Sequence, residues 1–136
     1  MKIFKRVLVG FVIFFILGCV GISLWTYLPN PNYYKATTFT QKVLRLPVGS
    51  SKAHVAALLK NEGLSYSYVG DKEGIDFTSA VMNQGYTSAN LSGYMVAIIR
   101  DTSRGVLITG DVQYFFFFDK KGKLLKATAD EVFTGP

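Results

Sequence analysis

An uncharged run from Val7 to Leu28 decides what the rest of the chain can be. Its about 22 residues, at roughly 1.5 Å of rise each, make a helix of about 33 Å, which matches the hydrocarbon thickness of a bilayer. The run is also longer than the apolar core of a secretory signal, about 7–15 residues. Lys2, Lys5 and Arg6 stand directly before it, whereas the first basic residues after it are Lys35, Lys42 and Arg45. Positive charge is retained on the cytoplasmic side, so this asymmetry predicts a single-pass anchor with a cytoplasmic N-terminus and an extracytoplasmic domain. Trp25 and Tyr27 suit the far headgroup layer, and Pro29 and Pro31 stop the helix.

Two other fates of the run stay open beside the uncleaved anchor. Cleavage of a signal peptide needs small residues at −3 and −1, for which Gly21 and Ser23 are the available pair. Ile16-Leu17-Gly18-Cys19 has the outline of a lipobox, which makes Cys19 a candidate for lipidation. In a spanning helix Cys19 is simply a small apolar residue.

The remainder bounds a single domain. Residues 1–28 form the basic tag and anchor, 29–38 a linker, and 39–136 one α+β extracytoplasmic domain of modest core. The net charge is +6, and Lys2, Lys5 and Arg6 supply half of it, so the basic balance is a topology signal more than a footprint for nucleic acid, and no nucleic-acid partner is expected. Cys19 is the sole cysteine; the domain therefore has no disulfide and must be stabilised by burial.

Along the domain, Pro29–Asn32 reads as a semi-rigid spacer, with Tyr33 and Tyr34 near the headgroups, and Phe39–Leu46 as a lead-in strand. Ser50 or Ser51 offers a hydroxyl N-cap for a helix to about Asn61, with Val55, Leu58 and Leu59 on one stripe and Gly63 as its left-handed stop. Leu64–Val69 alternates as a strand does. Gly70–Gly93 is polar, with a short helix near Ser79–Met82 or a mobile insertion. Tyr94–Arg100 is apolar on both faces, as a central strand is, and Asp101–Gly105 is a turn. Val106–Phe118 is one long strand or two, and Asp119–Gly122 closes a hairpin onto Lys123–Ala129, where Leu125, Ala127 and Ala129 share a face. The tail from Asp130 reads as irregular. One or two helices on an antiparallel β-meander follow from this order.

Tyr114-Phe115-Phe116-Phe117-Phe118 puts large rings on both faces of one strand. One set can face the helix layer; the other needs internal cover or a partner, so Tyr114, Phe115 and Phe117 are the candidate partner-binding residues. Catalytic chemistry finds little support. His54, the only histidine, flanks the apolar stripe of its helix, and neither a Gly-x-Ser-x-Gly elbow nor a Ser-x-x-Lys pair occurs. Asp71, Glu73 and Asp76 miss the EF-hand spacing, with Met82 where a bidentate Glu is required, and neither a zinc set nor a phosphate-binding glycine loop is present. Neither a cofactor nor a metal is expected.

Leu46-Pro-Val-Gly-Ser-Ser-x-x-x-Val55-x-x-Leu58-Leu59, closing at Gly63, resembles the opening motif of the SmpA/OmlA family, small BamE-like lipoproteins of the outer-membrane barrel-assembly machinery. Phe115-Phe-Phe-Phe-Asp119-Lys-Lys-Gly122-Lys-Leu124 is similar to that family's closing strand, turn and strand. The resemblance covers about a third of the chain and implies helices against a three-stranded antiparallel sheet in a scaffolding role without catalysis. The Gly49-Ser-Ser-x-x-x-Val-x-x-Leu-Leu pattern also resembles the small module after the anchor in membrane-bound lytic transglycosylases. The expectation is a non-enzymatic envelope protein that binds another envelope protein or the cell wall. The alternatives are an inhibitor or immunity-type protein, and a ligand-binding or enzymatic domain with residues 70–93 as a lid.

Overall fold

The first helix, α1, spans Lys2–Tyr27 in the computed structural model, which describes residues 2–70, 91–103 and 109–134. Its stretch Ile3–Leu24 is long and apolar enough to cross a membrane, and none of it is buried against the rest of the protein. A signal sequence has the same character, so length and composition leave the side of the membrane open.

The chain then turns straight into a second helix, α2, Pro31–Leu44. Here the expected spacer and lead-in strand give way to helix. Pro31 sits in the first helical turn, where its missing N–H costs nothing, and the Asn30 side chain caps that turn by accepting the Asn32 N–H at 2.9 Å. Ala36, Phe39 and Val43 form its buried stripe. The third helix, α3, Lys52–Asn61, starts where expected: Ser51 Oγ accepts the His54 N–H at 3.2 Å. It ends in a Schellman arrangement, with Gly63 at φ +66° donating to Lys60 O and Leu64 donating to Leu59 O.

Four strands follow, β1 (Tyr66–Gly70), β2 (Gly93–Ile99), β3 (Thr109–Phe118) and β4 (Leu124–Thr134), as an antiparallel meander in sheet order β1-β2-β3-β4. The fold is α+β, with one strand more than the family resemblance implies. α2 and α3 cover the inner face: Phe39, Val43, Val55 and Leu59 pack on Met95, Tyr114, Phe116, Phe118 and Leu124. The register makes room for the largest ring, since Tyr114 lies between Ala97 on β2 and Ala129 on β4. Gly93 lets β1 approach closely, because a Cβ there would stand 2.5 Å from Val69 O.

Two details of β4 depart from expectation. A register shift at Phe117/Phe118 pairs Phe117 with Lys126 and Phe118 with Leu124. This bulge turns Leu125 to the outer face, while Leu124, Ala127 and Ala129 join the inner core. The tail is also strand as far as Thr134, because Glu131, Val132 and Phe133 pair with Val112, Asp111 and Gly110. The short helix near Ser79–Met82 and the central part of the expected insertion lie outside the described residues.

The 46–52 connection is bonded to the β3–β4 hairpin. Gly49 donates to Leu124 O, Leu124 to Ser50 O, and Lys52 to Gly122 O. The two stretches that carry the family resemblance are therefore neighbours in space.

Candidate functional site

The aromatic run divides by parity as expected, and burial then sorts its members. Tyr114 belongs to the inner core and has no exposed surface. Its ring meets Phe39 edge to face at 4.8 Å, and its hydroxyl donates to Ala36 O at 3.0 Å while bonding Thr40 Oγ1 at 3.1 Å. Burial pushes the phenol above its ordinary pKa; the Thr40 hydrogen bond opposes this and the Glu131 charge adds to it. Tyr114 pins β3 to α2, so its place is internal and not on a docking surface.

Phe117 is also internal, at 1% exposure, in a second cluster with Leu91 that Tyr94, Phe115 and Leu125 border. Phe115 remains half-buried and stacks on Phe117 with centroids 6.3 Å apart and planes at 10°. Tyr94 stands 6.1 Å from Phe115, and Val96 and Ile98 continue the same face along β2, Ile98 being 37% exposed. Of the candidate partner-binding residues, Phe115 alone presents surface. It does so within a strip of Tyr94, Val96, Ile98 and Phe115 that neither α2 nor α3 covers.

His54 lies on the exposed side of α3, and Cys19 is exposed on α1. Asp71, Glu73 and Asp76 fall outside the described residues. Among the described residues no group of three or more His, Cys, Asp or Glu side chains is placed to hold a metal ion.

Sequence reasoning missed the end of the domain that receives α1. Asn30 donates its main-chain N–H to Ser103 O at 3.0 Å and its Nδ2 to Asp101 Oδ2 at 2.9 Å, and Asn32 Nδ2 reaches Arg100 O at 3.1 Å. Asp101 is held at φ +54°. Its Oδ1 accepts the Ser103 hydroxyl and its N–H donates to Asp111 Oδ1. A non-glycine residue in this conformation stores strain, which Asp tolerates better than most. Beside the junction lies a cleft of about 220 Å³ lined by Tyr33, Thr37, Thr40, Thr102, Glu131 and Phe133, among others. The one local signal for this region was Asn30-Pro31, an N-cap followed by a first-turn proline.

Chemically, the strip offers apolar contact area and the cleft offers rings, hydroxyls and a carboxylate. No family, no curated protein and no solved structure matches this chain.

Proposed function

We propose that this protein is a membrane-anchored, non-enzymatic binding or scaffolding domain of the cell envelope, which docks another envelope protein on the outer strip of its sheet. The observation that carries the reading is the strip of half-buried Tyr94, Val96 and Phe115 with exposed Ile98, on the face of the sheet opposite α2 and α3. Aromatic residues at a surface, such as Tyr94 and Phe115 here, are enriched in the cores of interfaces. The apolar, unburied α1 supports tethering through Val7–Leu28, and the basic residues before it support a cytoplasmic N-terminus with the domain outside. The likeness of residues 46–63 and 115–124 to the SmpA/OmlA motifs favours a partner within an envelope assembly, and their direct hydrogen bonding is compatible with it.

A photocrosslinking residue at Phe115 or Ile98 in intact cells is expected to trap one discrete partner, while the same residue at Lys60 on α3 traps none. Blanks at both strip positions would sink the reading. Ligand binding is a second reading, favoured by the cleft beside Glu131 and Phe133. It predicts that Glu131→Gln and Thr37→Ala abolish function while Phe115 substitutions do not.

A further inference from the structure

We infer that the end of the domain next to α1 rests on the bilayer, with the rings of Tyr34 and Phe133 in the headgroup layer. This rests on the reading of α1 as an anchor and adds which surface of the domain the lipid covers. Only Leu28, Pro29 and Asn30 separate α1 from α2, so α2 starts within about 14 Å of the end of α1. The junction is no free tether, because Asn30 and Asn32 are bonded to Arg100, Asp101 and Ser103 at the end of β2. From there the network runs on. Asp101 N–H meets Asp111 Oδ1 at 2.9 Å, Thr102 N–H meets Gly110 O at 2.7 Å, and Gly110 pairs with Phe133. The first turn of α2, the end of β2 and the end of β4 thus make one rigid end.

That end carries large rings in the open. Tyr34 is 57% exposed and Phe133 is 61% exposed. Val132 beside Phe133 is exposed too. In water such rings lose the benefit of burial, whereas at a membrane interface an aromatic body and a wet rim are both accommodated. The charges around them are mixed: Lys35 and Arg100 stand against Asp101, Asp111 and Glu131. With no cationic excess among the described residues, the contact is made by the rings and suits zwitterionic headgroups, so salt has little hold on it. The β3–β4 turn at Lys121 lies at the other end of a ten-residue strand. At about 3.4 Å per residue this puts it roughly 30 Å from the membrane-facing end.

The test uses the full chain in phosphatidylcholine nanodiscs whose acyl chains are, or are not, brominated near the headgroup. Trp25, the only tryptophan, reports the anchor in the native protein. In a Trp25→Phe background, Phe133→Trp and Tyr34→Trp report the proposed contact and Lys121→Trp the far end. Bromination is expected to remove roughly half or more of the emission of the native protein and of the Phe133→Trp and Tyr34→Trp variants, equally at low and high salt, and to spare Lys121→Trp. If native Trp25 is quenched but Phe133→Trp and Tyr34→Trp are not, the contact is absent while the anchor stands. Quenching of Lys121→Trp as strong as that of Phe133→Trp, or quenching lost at high salt, overturns the end-on, ring-mediated contact. An unquenched native Trp25 removes the anchor reading and this inference together. Should Phe133→Trp fail to fold, Tyr34→Trp decides alone.

Discussion

Replacing Tyr114 with Phe removes one oxygen from the centre of the core and leaves the ring in place. The edge-to-face pair with Phe39 and the fit between Ala97 and Ala129 are untouched. What is lost is the hydroxyl's donation to Ala36 O and its bond to Thr40 Oγ1. A net hydrogen bond is worth about 1 kcal/mol, and Thr40 can turn its hydroxyl to the carbonyl one turn back, so the expected loss is about 1–2 kcal/mol at neutral pH. Tyr114→Ala, which empties the ring's space, should cost about 3–5 kcal/mol. A second signature lies at alkaline pH. The phenol's pKa is raised above 10.0 in the fold, chiefly by burial. Above that value the unfolded chain releases the proton while the folded protein keeps it, so the folded state binds more protons and stability falls as pH rises. The contribution is complete below pH 10.0 and declines until pH passes the folded-state value. Urea unfolding of the full chain in micelles, followed by near-ultraviolet circular dichroism at neutral pH and at several alkaline pH values, measures both effects. Tyr114→Phe should begin less stable than the native protein and lose less on alkalinisation. An alkaline slope unchanged by Tyr114→Phe, or a neutral-pH loss equal to that of Tyr114→Ala, would refute the assignment of the hydroxyl as an inter-layer pin.

Asp101 offers a graded series at the junction. Asp101→Asn keeps an acceptor and a tolerance for positive φ and should be mild; Asp101→Gly relieves the strain but drops the bonds from Asn30 and Ser103; Asp101→Ala keeps the strain and drops the bonds. Thermal unfolding should rank them in that order, with Asp101→Ala losing about 2–3 kcal/mol, and a neutral Asp101→Ala would show the junction to be slack. Cys19→Ser is expected to leave the membrane-bound fraction unchanged and to alter the mass of the mature protein by the substitution alone. Loss of a mass increment the size of a diacylglyceryl group, together with release from the membrane, would assign Cys19 as a lipidation site.

Legibility in the sequence followed the range of the interactions. α3 could be read because its start and stop are local: Ser51 caps three residues away, and Gly63 supplies the positive φ. The division of the aromatic run was legible because strand parity is a property of the strand itself. α2 was missed for the opposite reason. Two prolines so close together read as punctuation, and the helical stripe depends on Ala36, which carries little hydrophobic signal. What stabilises that stripe comes from Tyr114, seventy-eight positions away from Ala36. The bulge that sends Leu125 outward, and the pairing that makes strand of Glu131–Phe133, also depend on partners on β3 that no local pattern names. Of the candidate site, the alternation alone shows that Phe115 and Phe117 share a face opposite to that of Tyr114. The exclusion of Tyr114 and Phe117 needed the three-dimensional burial.

Together the fold and the junction leave a partner few directions of approach. α2 and α3 cover the inner face over β2, β3 and β4, where Phe39, Val55 and Leu59 are spent, and leave Tyr66 and Tyr68 of β1 partly open. The end bearing Asn30, Asp101 and Phe133 is tied to α1, and on the proposed anchoring a bilayer around α1 closes that direction as well. At the opposite end the hairpin Asp119–Lys123 is bonded to the 46–52 connection and shows exposed Lys120 and Lys121, with Val48 of that connection the one large apolar side chain in the open beside them among the described residues. Among the described residues the outer strip of Tyr94, Val96, Ile98 and Phe115 is then the apolar face of the sheet that remains, and its strands run from the end next to α1 toward the hairpin. A partner that docks there must reach alongside the domain from the same membrane or descend onto it from across the envelope. The position of a crosslink distinguishes these: Ile98 lies toward the end of β2 that meets the junction, and Phe115 lies nearer the hairpin. A partner sharing the membrane should be trapped more efficiently from Ile98, and one arriving from the far side from Phe115.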